Sequence, residues 1–204
     1  MDLAGFALAV LLFELTPGPN MAWLAGLAAT EGRRHGMAAV GGIAIGLIGN
    51  GLLAALGLAA LLQAVPDLWV ALRLGGAAML ALLAFMTWRD ADRPARASVA
   101  PQASMRSFGA GLILNLINPK AYVVFLVIAP QFITGAVLGL RDAVILTFVS
   151  AAVATVIHIA IVFAGARAHE WVQNPARTKW VKRGFAVIML AIAVSFAAAD
   201  LKLA

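Results

Sequence analysis

The chain contains no cysteine, and that absence excludes disulfides, thiolate metal sites and thiol redox chemistry. Charge is scarce too. Only 12% of the 204 residues are Asp, Glu, Lys or Arg, where a soluble domain carries roughly a quarter. Histidine occurs three times, without an HxxxH or HxH spacing, so the pattern gives no support to a metal centre. No catalytic residue and no cofactor is expected, and the chain is not read as an enzyme. A net charge of +6 with a pI near 10.8 would suit nucleic acid only as a basic face on a folded soluble surface. Here the cations sit in short segments between apolar runs, and no nucleic-acid partner is expected.

What the chain has in excess is apolar sequence, 63% of all residues. Apolar runs of 18 or more residues read as membrane spans, and six are present, at about 3–29, 37–65, 68–88, 108–133, 139–166 and 184–199. Little remains for a soluble domain, so the lipid bilayer is the expected solvent. The first run carries Asp2 with no Lys or Arg before it and continues through Pro-Gly-Pro, unlike a signal peptide ending at a small-residue cleavage site. It is expected to be an uncleaved span.

Loop cations set the orientation. Arg33, Arg34, Arg89, Arg93, Arg96, Arg106, Arg167, Arg177, Lys179, Lys182 and Arg183 fall on one side, against Arg73, Arg141 and Lys202 on the other. This places both termini outside the cytoplasmic membrane. The polar segment 89–107 becomes a cytoplasmic linker between halves at about 1–88 and 108–204. Three spans per half make the second half cross in the opposite sense to the first, which predicts two inverted three-helix repeats. Trp69, Trp88, Trp171 and Trp180 lie at helix ends, as an interfacial belt would place them. Trp23, a turn past Pro19, reads either as a pocket wall or as a cytoplasmic anchor. Gly42 and Gly46 form a small-xxx-small stripe for close helix packing, preferably within the chain, with a homodimer as the alternative.

Two spans contain breaks. In the first, Thr16-Pro17-Gly18-Pro19-Asn20 interrupts the run; the prolines lack the N–H groups that would pair with the carbonyls of Phe13 and Leu15. In the fourth, Asn118-Pro119-Lys120 does the same. Pro17 and Pro119 are 102 positions apart, half the chain length. A looser echo pairs Pro66 and Gly75 with Pro175 and Gly184, nine apart in each case. Irregular backbone survives at membrane depth only where it is packed in protein or lines a polar cavity, and matching broken helices point to a transporter's binding site. The expected fold is therefore an all-α integral membrane transporter forming a single domain over 1–204, with broken helices 1 and 4.

Asn118 before Pro119 has the form of an N-cap with proline at the first helical position, and Thr16-Pro17 repeats it. Each break then presents a half-helix N-terminus, which attracts anions, beside freed carbonyls that can accept from an ammonium group. That combination suits a zwitterion. The expected substrate-binding residues are Thr16, Pro17, Gly18, Pro19, Asn20, Asn115, Asn118, Pro119 and Lys120. Asn115 lies a turn before the cap and is expected to matter less than Asn118, and Asn50 is a further polar candidate. Buried ionisable groups in membranes mark pathways or proton relays, so Glu14 and His158 are the coupling candidates. For Glu14 the alternative is a structural partnership with Lys120 or a freed backbone group; for Lys120, capping of carbonyls at the break; for His158, a hydrogen-bonded packing role.

At these residues the chain resembles the LysE/RhtB-type amino acid exporters of bacteria. The resemblance is carried by Thr16-Pro17-Gly18-Pro19-Asn20-Met21, by Glu31-Gly32-Arg33-Arg34-His35-Gly36 with Gly41 to Gly46, and by Gly111 to Ala121 with Pro130-Gln131-Phe132. It implies six hydrophobic segments and proton-driven export of an amino acid or close derivative across the bacterial inner membrane. The sequence departs from that family at Asn50, where His is frequent, and at Met79, where Tyr is common; both bear on the substrate, not the class. The resulting expectation is a multi-pass secondary transporter that takes an amino acid and protons as partners. The alternatives are a non-transporting membrane scaffold or assembly protein, and a metal-ion exporter.

Overall fold

The structure, a computed structural model, describes residues 1–16, 18–58, 61, 64–92, 101–133, 140–172 and 175–198. Its elements are α1 (Leu3–Glu14), α2 (Pro19–Glu31), α3 (Arg33–Leu53), α4 (Pro66–Arg89), α5 (Pro101–Leu116), α6 (Pro119–Val123), α7 (Leu140–Val172) and α8 (Pro175–Ala198). Helix α3 runs into a π turn, Ala54–Leu58, and α6 continues through a π turn, Val124–Ile128, and a 3-10 turn, Ala129–Phe132. The described residues contain helices and turns only.

Proline punctuates this fold at helix starts. Five of the eight prolines open an α-helix, namely Pro19, Pro66, Pro101, Pro119 and Pro175, a position at which the helix that follows needs no N–H. Among the described residues four helices are long and apolar enough to cross a membrane, and the bent pairs α1 with α2 and α5 with the 119–132 segment bring the number to six if each pair is one span. The bends are 61° and 51°.

Hydropathy marked where each helix is apolar, not where it ends. Helix α7 extends to Val172 and α8 begins at Pro175, because Lys- and Arg-rich sequence forms good helix once it leaves the apolar run. Helix α5 likewise starts at Pro101, so the last residues of the polar segment 89–107 are helical. The run at 37–65 is not one helix: α3 gives way to the π turn, where Gly57 has φ 99°, a conformation costly to residues with a Cβ.

The core is closed by backbone contacts that only glycine permits. A Cβ on Gly42 would meet the carbonyl oxygen of Phe108, one on Gly46 the side chain of Asn115 at 2.9 Å, and one on Gly111 the carbonyl oxygen of Ala39 at 2.5 Å. The stripe on α3 thus packs within the chain, against α5. Leu47, Leu80, Leu114, Val162 and Met189 fill the space between the helices. Leu8, Leu12, Phe85, Val156, Val187 and Val194 point outward, as lipid-facing residues do.

One tryptophan of the expected belt is not at an exposed helix end. Trp69 is 3% exposed and packs on Tyr122 and Leu126, and Trp23 is buried in the main core, neither an anchor nor a wall of the central cavity. Trp88 and Trp180 are exposed and share the guanidinium of Arg183 at 5.1 and 5.9 Å. The side chain of Trp171 lies outside the described residues.

Candidate functional site

The second break is built as the sequence predicts. Asn118 is extended (φ −82°, ψ 109°) and its side-chain oxygen accepts from the backbone N–H of Lys120 at 3.1 Å, an N-cap that leaves proline at the first helical position. Pro119 cannot donate to the carbonyl of Asn115 four residues back. That carbonyl is served instead by the N–H of Asn118 at 3.0 Å and by Nδ2 of Asn50, from α3, at 2.9 Å. The amide of Asn50 therefore stands in for the N–H that Pro119 lacks. Tyr122 completes the repair by donating its hydroxyl to the carbonyl of Leu116 at 2.9 Å.

The first break is built differently from its expected form. Its N-cap is Gly18, with Pro19 at the first helical position and no side-chain cap. Thr16 does not cap α2. Its hydroxyl donates at 2.6 Å to the carbonyl of Phe13, which also receives the N–H of Thr16 at 3.1 Å, so the carbonyl opposite Pro17 is not left free. Pro17 lies outside the described residues. The prolines in equivalent helical positions are thus Pro19 and Pro119, an offset of 100 in place of the 102 that pairing with Pro17 gives; the short side chain of Thr16 bonds backward more readily than it reaches past two imide bonds.

Ties between the breaks cross from one half of the chain to the other. Nζ of Lys120, one residue past Pro119, donates to the carbonyl of Thr16 at 2.7 Å, lies 3.9 Å from Oε2 of Glu14 and stands 4.9 Å above the ring of Phe13. The 3.9 Å separation is an ion-pair contact and too long for a hydrogen bond. Asn20, one residue past Pro19, donates through Nδ2 to Oδ1 of Asn115 at 2.8 Å. Each half-helix therefore sends its second residue to the segment preceding the other break. Asn115 receives both Asn20 and Asn50, which makes it a junction of α2, α3 and α5.

A cavity opens among these groups, lined by Glu14, Gly18, Asn20, Asn115, Asn118, Lys120 and His158, with Met21, Leu47 and Ala121 supplying apolar surface. Glu14 is 6% exposed, His158 1% and Asn115 0%. Unpaired polar atoms remain on its walls: Oδ1 of Asn20, Nδ2 of Asn115 and both ring nitrogens of His158. Both ring nitrogens of His158 are thus left facing the cavity without a protein partner. The cavity measures about 10 Å³, room for about one water and far below the ~300 Å³ or more of a small-molecule pocket. As it stands, the cavity is too small to admit an amino acid.

The sequence profile of the family described as LysE type translocator matches residues 11–200. The chain belongs to that family. A protein of Pseudomonas aeruginosa, described as an uncharacterized membrane protein, is 34% identical over 187 residues, covering 86% of this chain and 85% of that one. The threonine efflux protein of Escherichia coli K12 is 31% identical over 116 residues, 54% of this chain and 56% of that protein. The homoserine/homoserine lactone efflux protein of Salmonella typhimurium is 26% identical over 189 residues, 92% of each chain. No solved structure matches.

In this LysE type translocator, then, every described site candidate except Thr16, Pro19, Asn50 and Pro119 lines the central cavity. Thr16 joins through its carbonyl, and the two prolines act by opening α2 and α6. Among the described residues no cluster of three His, Asp or Glu is placed to hold a metal ion. Sequence reasoning missed Met21, Leu47 and Ala121, whose apolar character gave no signal, and it missed the role of Asn50. The position of Asn50 in the fold, opposite the carbonyl freed by Pro119, is visible only once α3 is packed on α5.

Proposed function

We propose that the protein exports an amino acid or similar small zwitterion across the bacterial inner membrane, driven by protons, with the cavity between the two breaks as the site. The observation that carries this reading is the crossed pair of ties, Lys120 to Thr16 and Asn20 to Asn115, in a buried pocket that presents both signs of charge. A carboxylate finds the ammonium of Lys120, Nδ2 of Asn115 and the N–H groups at the start of α2. An ammonium finds Glu14, Oδ1 of Asn20 and the carbonyl of Thr16. Glu14 and His158 are the coupling groups, because both are buried, both titrate and both face the cavity. The names of the threonine and homoserine efflux relatives favour a small polar amino acid.

The mechanism rests on two inverted three-helix halves, 1–88 and 108–204, joined by the linker 89–107 in one domain. One pair of contacts supports this: α3 lies along α5 as α7 lies along α1 and α2, as exchange of the halves by a two-fold axis would have it. Helices α4 and α8 both open at proline, Pro66 and Pro175. Rocking of one half against the other would open the cavity to alternate sides. Both termini lie outside in this arrangement; reporter fusions at Arg34 and Lys179 should report cytoplasm and those at Asp67 and Arg141 the outside.

Efflux decides the function. Cells loaded with labelled threonine, homoserine and other amino acids should lose label faster when they make the protein, and collapse of the proton gradient should stop the loss. Loss of divalent metal in place of amino acids would identify a metal exporter, and no transport of either class would leave a scaffold.

A further inference from the structure

A second cavity, about 260 Å³ in volume, lies away from the breaks and is lined by Arg33, Phe163, Ala166, Arg167 and His169. Its position follows from local geometry. Gly32 joins α2 to α3 with φ 85° and ψ 177°, a region essentially restricted to glycine, and this tight joint brings Arg33 directly against α7. The guanidinium of Arg33 stands 4.0 Å over the ring of Phe163. His169 turns Nδ1 to the carbonyl of Ala29 at 3.1 Å, which fixes the ring at the floor of the joint. Among the described residues neither Arg33 nor Arg167 pairs with a carboxylate.

The cavity opens on the outer face of α7, not on the central path. Phe148, Ala152, Val156, Ala160, Phe163 and Ala164 are exposed along one stripe of that helix, and the stripe ends at Arg167; His158 and Val162, which face the core, are buried. Arg167 lies nine residues from His158, ~14 Å along a helix, close to half the ~30 Å thickness of a hydrocarbon core. Two arginines therefore sit where an apolar, lipid-facing stripe meets water. Arginine binds phosphate oxygens through a planar fork of donors, and basic pockets between membrane helices on the cytoplasmic side take anionic headgroups.

We propose that this cavity seats the phosphate of an anionic phospholipid headgroup between Arg33 and Arg167, with the acyl chains lying along the exposed stripe of α7. Arg33, in the Glu31-Gly32-Arg33-Arg34 segment, thereby acquires a role that the central site does not give it.

Native mass spectrometry of the purified full chain, titrated with phosphatidylglycerol or with phosphatidylcholine, tests the assignment. The unaltered protein should retain phosphatidylglycerol in clear preference, a result that requires no variant. Arg33→Gln combined with Arg167→Gln should retain it about thirtyfold more weakly, at the strength expected for two cations near an anionic surface. Arg141→Gln, at the opposite end of α7, should behave as the unaltered protein. Equal retention of the two lipids, unchanged retention in the double variant, or an equal loss in Arg141→Gln would overturn the proposal. Displacement of phosphatidylglycerol by millimolar inorganic phosphate would assign the cavity to free phosphate and overturn it as well.

Discussion

Asn50 offers the sharpest test of how the second break is held. It is fully buried, and its Nδ2 donates to the carbonyl that Pro119 leaves without a helical partner. Interhelical hydrogen bonds in membranes average about 0.6 kcal/mol and reach about 1.7. If Asn50→Ala transfers that whole loss to the geometry of the site, initial efflux falls about 3- to 18-fold. Folding should suffer little, because the Asn115 carbonyl keeps the N–H of Asn118. The decisive measurement is a double-mutant cycle with Pro119→Ala, which restores an N–H at 119 and makes the amide of Asn50 redundant. Efflux rate and melting temperature in detergent should respond to Asn50→Ala far less in the Pro119→Ala background. An equal effect of Asn50→Ala in both backgrounds would refute the idea that its amide replaces the missing donor.

Three further outcomes are expected. Asn118→Ala removes the cap on Lys120 and should cost about 0.5–2 kcal/mol of local order, seen as sharply reduced efflux at near-normal membrane abundance; wild-type efflux would reduce the break to a kink. Glu14→Gln should abolish gradient-driven efflux while substrate counterflow persists, and full gradient-driven efflux in that variant would remove Glu14 from coupling. Gly42→Val drives a branched side chain into the carbonyl of Phe108, so assembled protein should fall steeply, whereas Gly75→Val, with open space around its Cβ position, should assemble normally.

Much of this was legible in the sequence because the membrane narrows what a chain can do. Apolar runs gave the spans, and prolines inside them gave the breaks, since an unpaired backbone group in hydrocarbon costs several kcal/mol. The Asn-Pro pair at 118 and 119 announced its own cap. The first break misled at Thr16 because Thr before Pro fits two local solutions, forward capping and backward bonding to Phe13, and the glycine at 18 tips the choice. Asn115 and Asn50 were undervalued for another reason: their partners lie 95 and 65 positions away, and no periodicity reports which amide faces which carbonyl. Trp69 failed similarly, since its place near a helix end said nothing of Tyr122 and Leu126 closing over it.

The crossed ties also bear on how an exporter of this kind would move. In the closed cavity the ammonium of Lys120 occupies the Thr16 carbonyl and the amide of Asn20 occupies Oδ1 of Asn115, two acceptors that a substrate ammonium would seek, while Nδ2 of Asn115 is left for the carboxylate. A zwitterion entering the site exchanges these bonds for its own. Such an exchange is nearly neutral in free energy, because a typical hydrogen bond gains only about 0.5–1.5 kcal/mol net. What changes is connectivity. Both ties join residues of the first half to residues of the second, so a substrate that breaks them loosens one half from the other, and release lets them reform. A ligand shifts a conformational equilibrium only by its differential affinity for the two states, and a latch of this kind would supply that difference by tying the halves together only when they are closed. Lys120→Met should therefore do more than weaken binding: with one tie gone, the empty protein should open more readily and leak substrate down its gradient without a coupled proton. Labelled substrate trapped in proteoliposomes without a proton gradient measures that leak, and a rate no faster than that of the unaltered protein would refute the role of the tie as a latch.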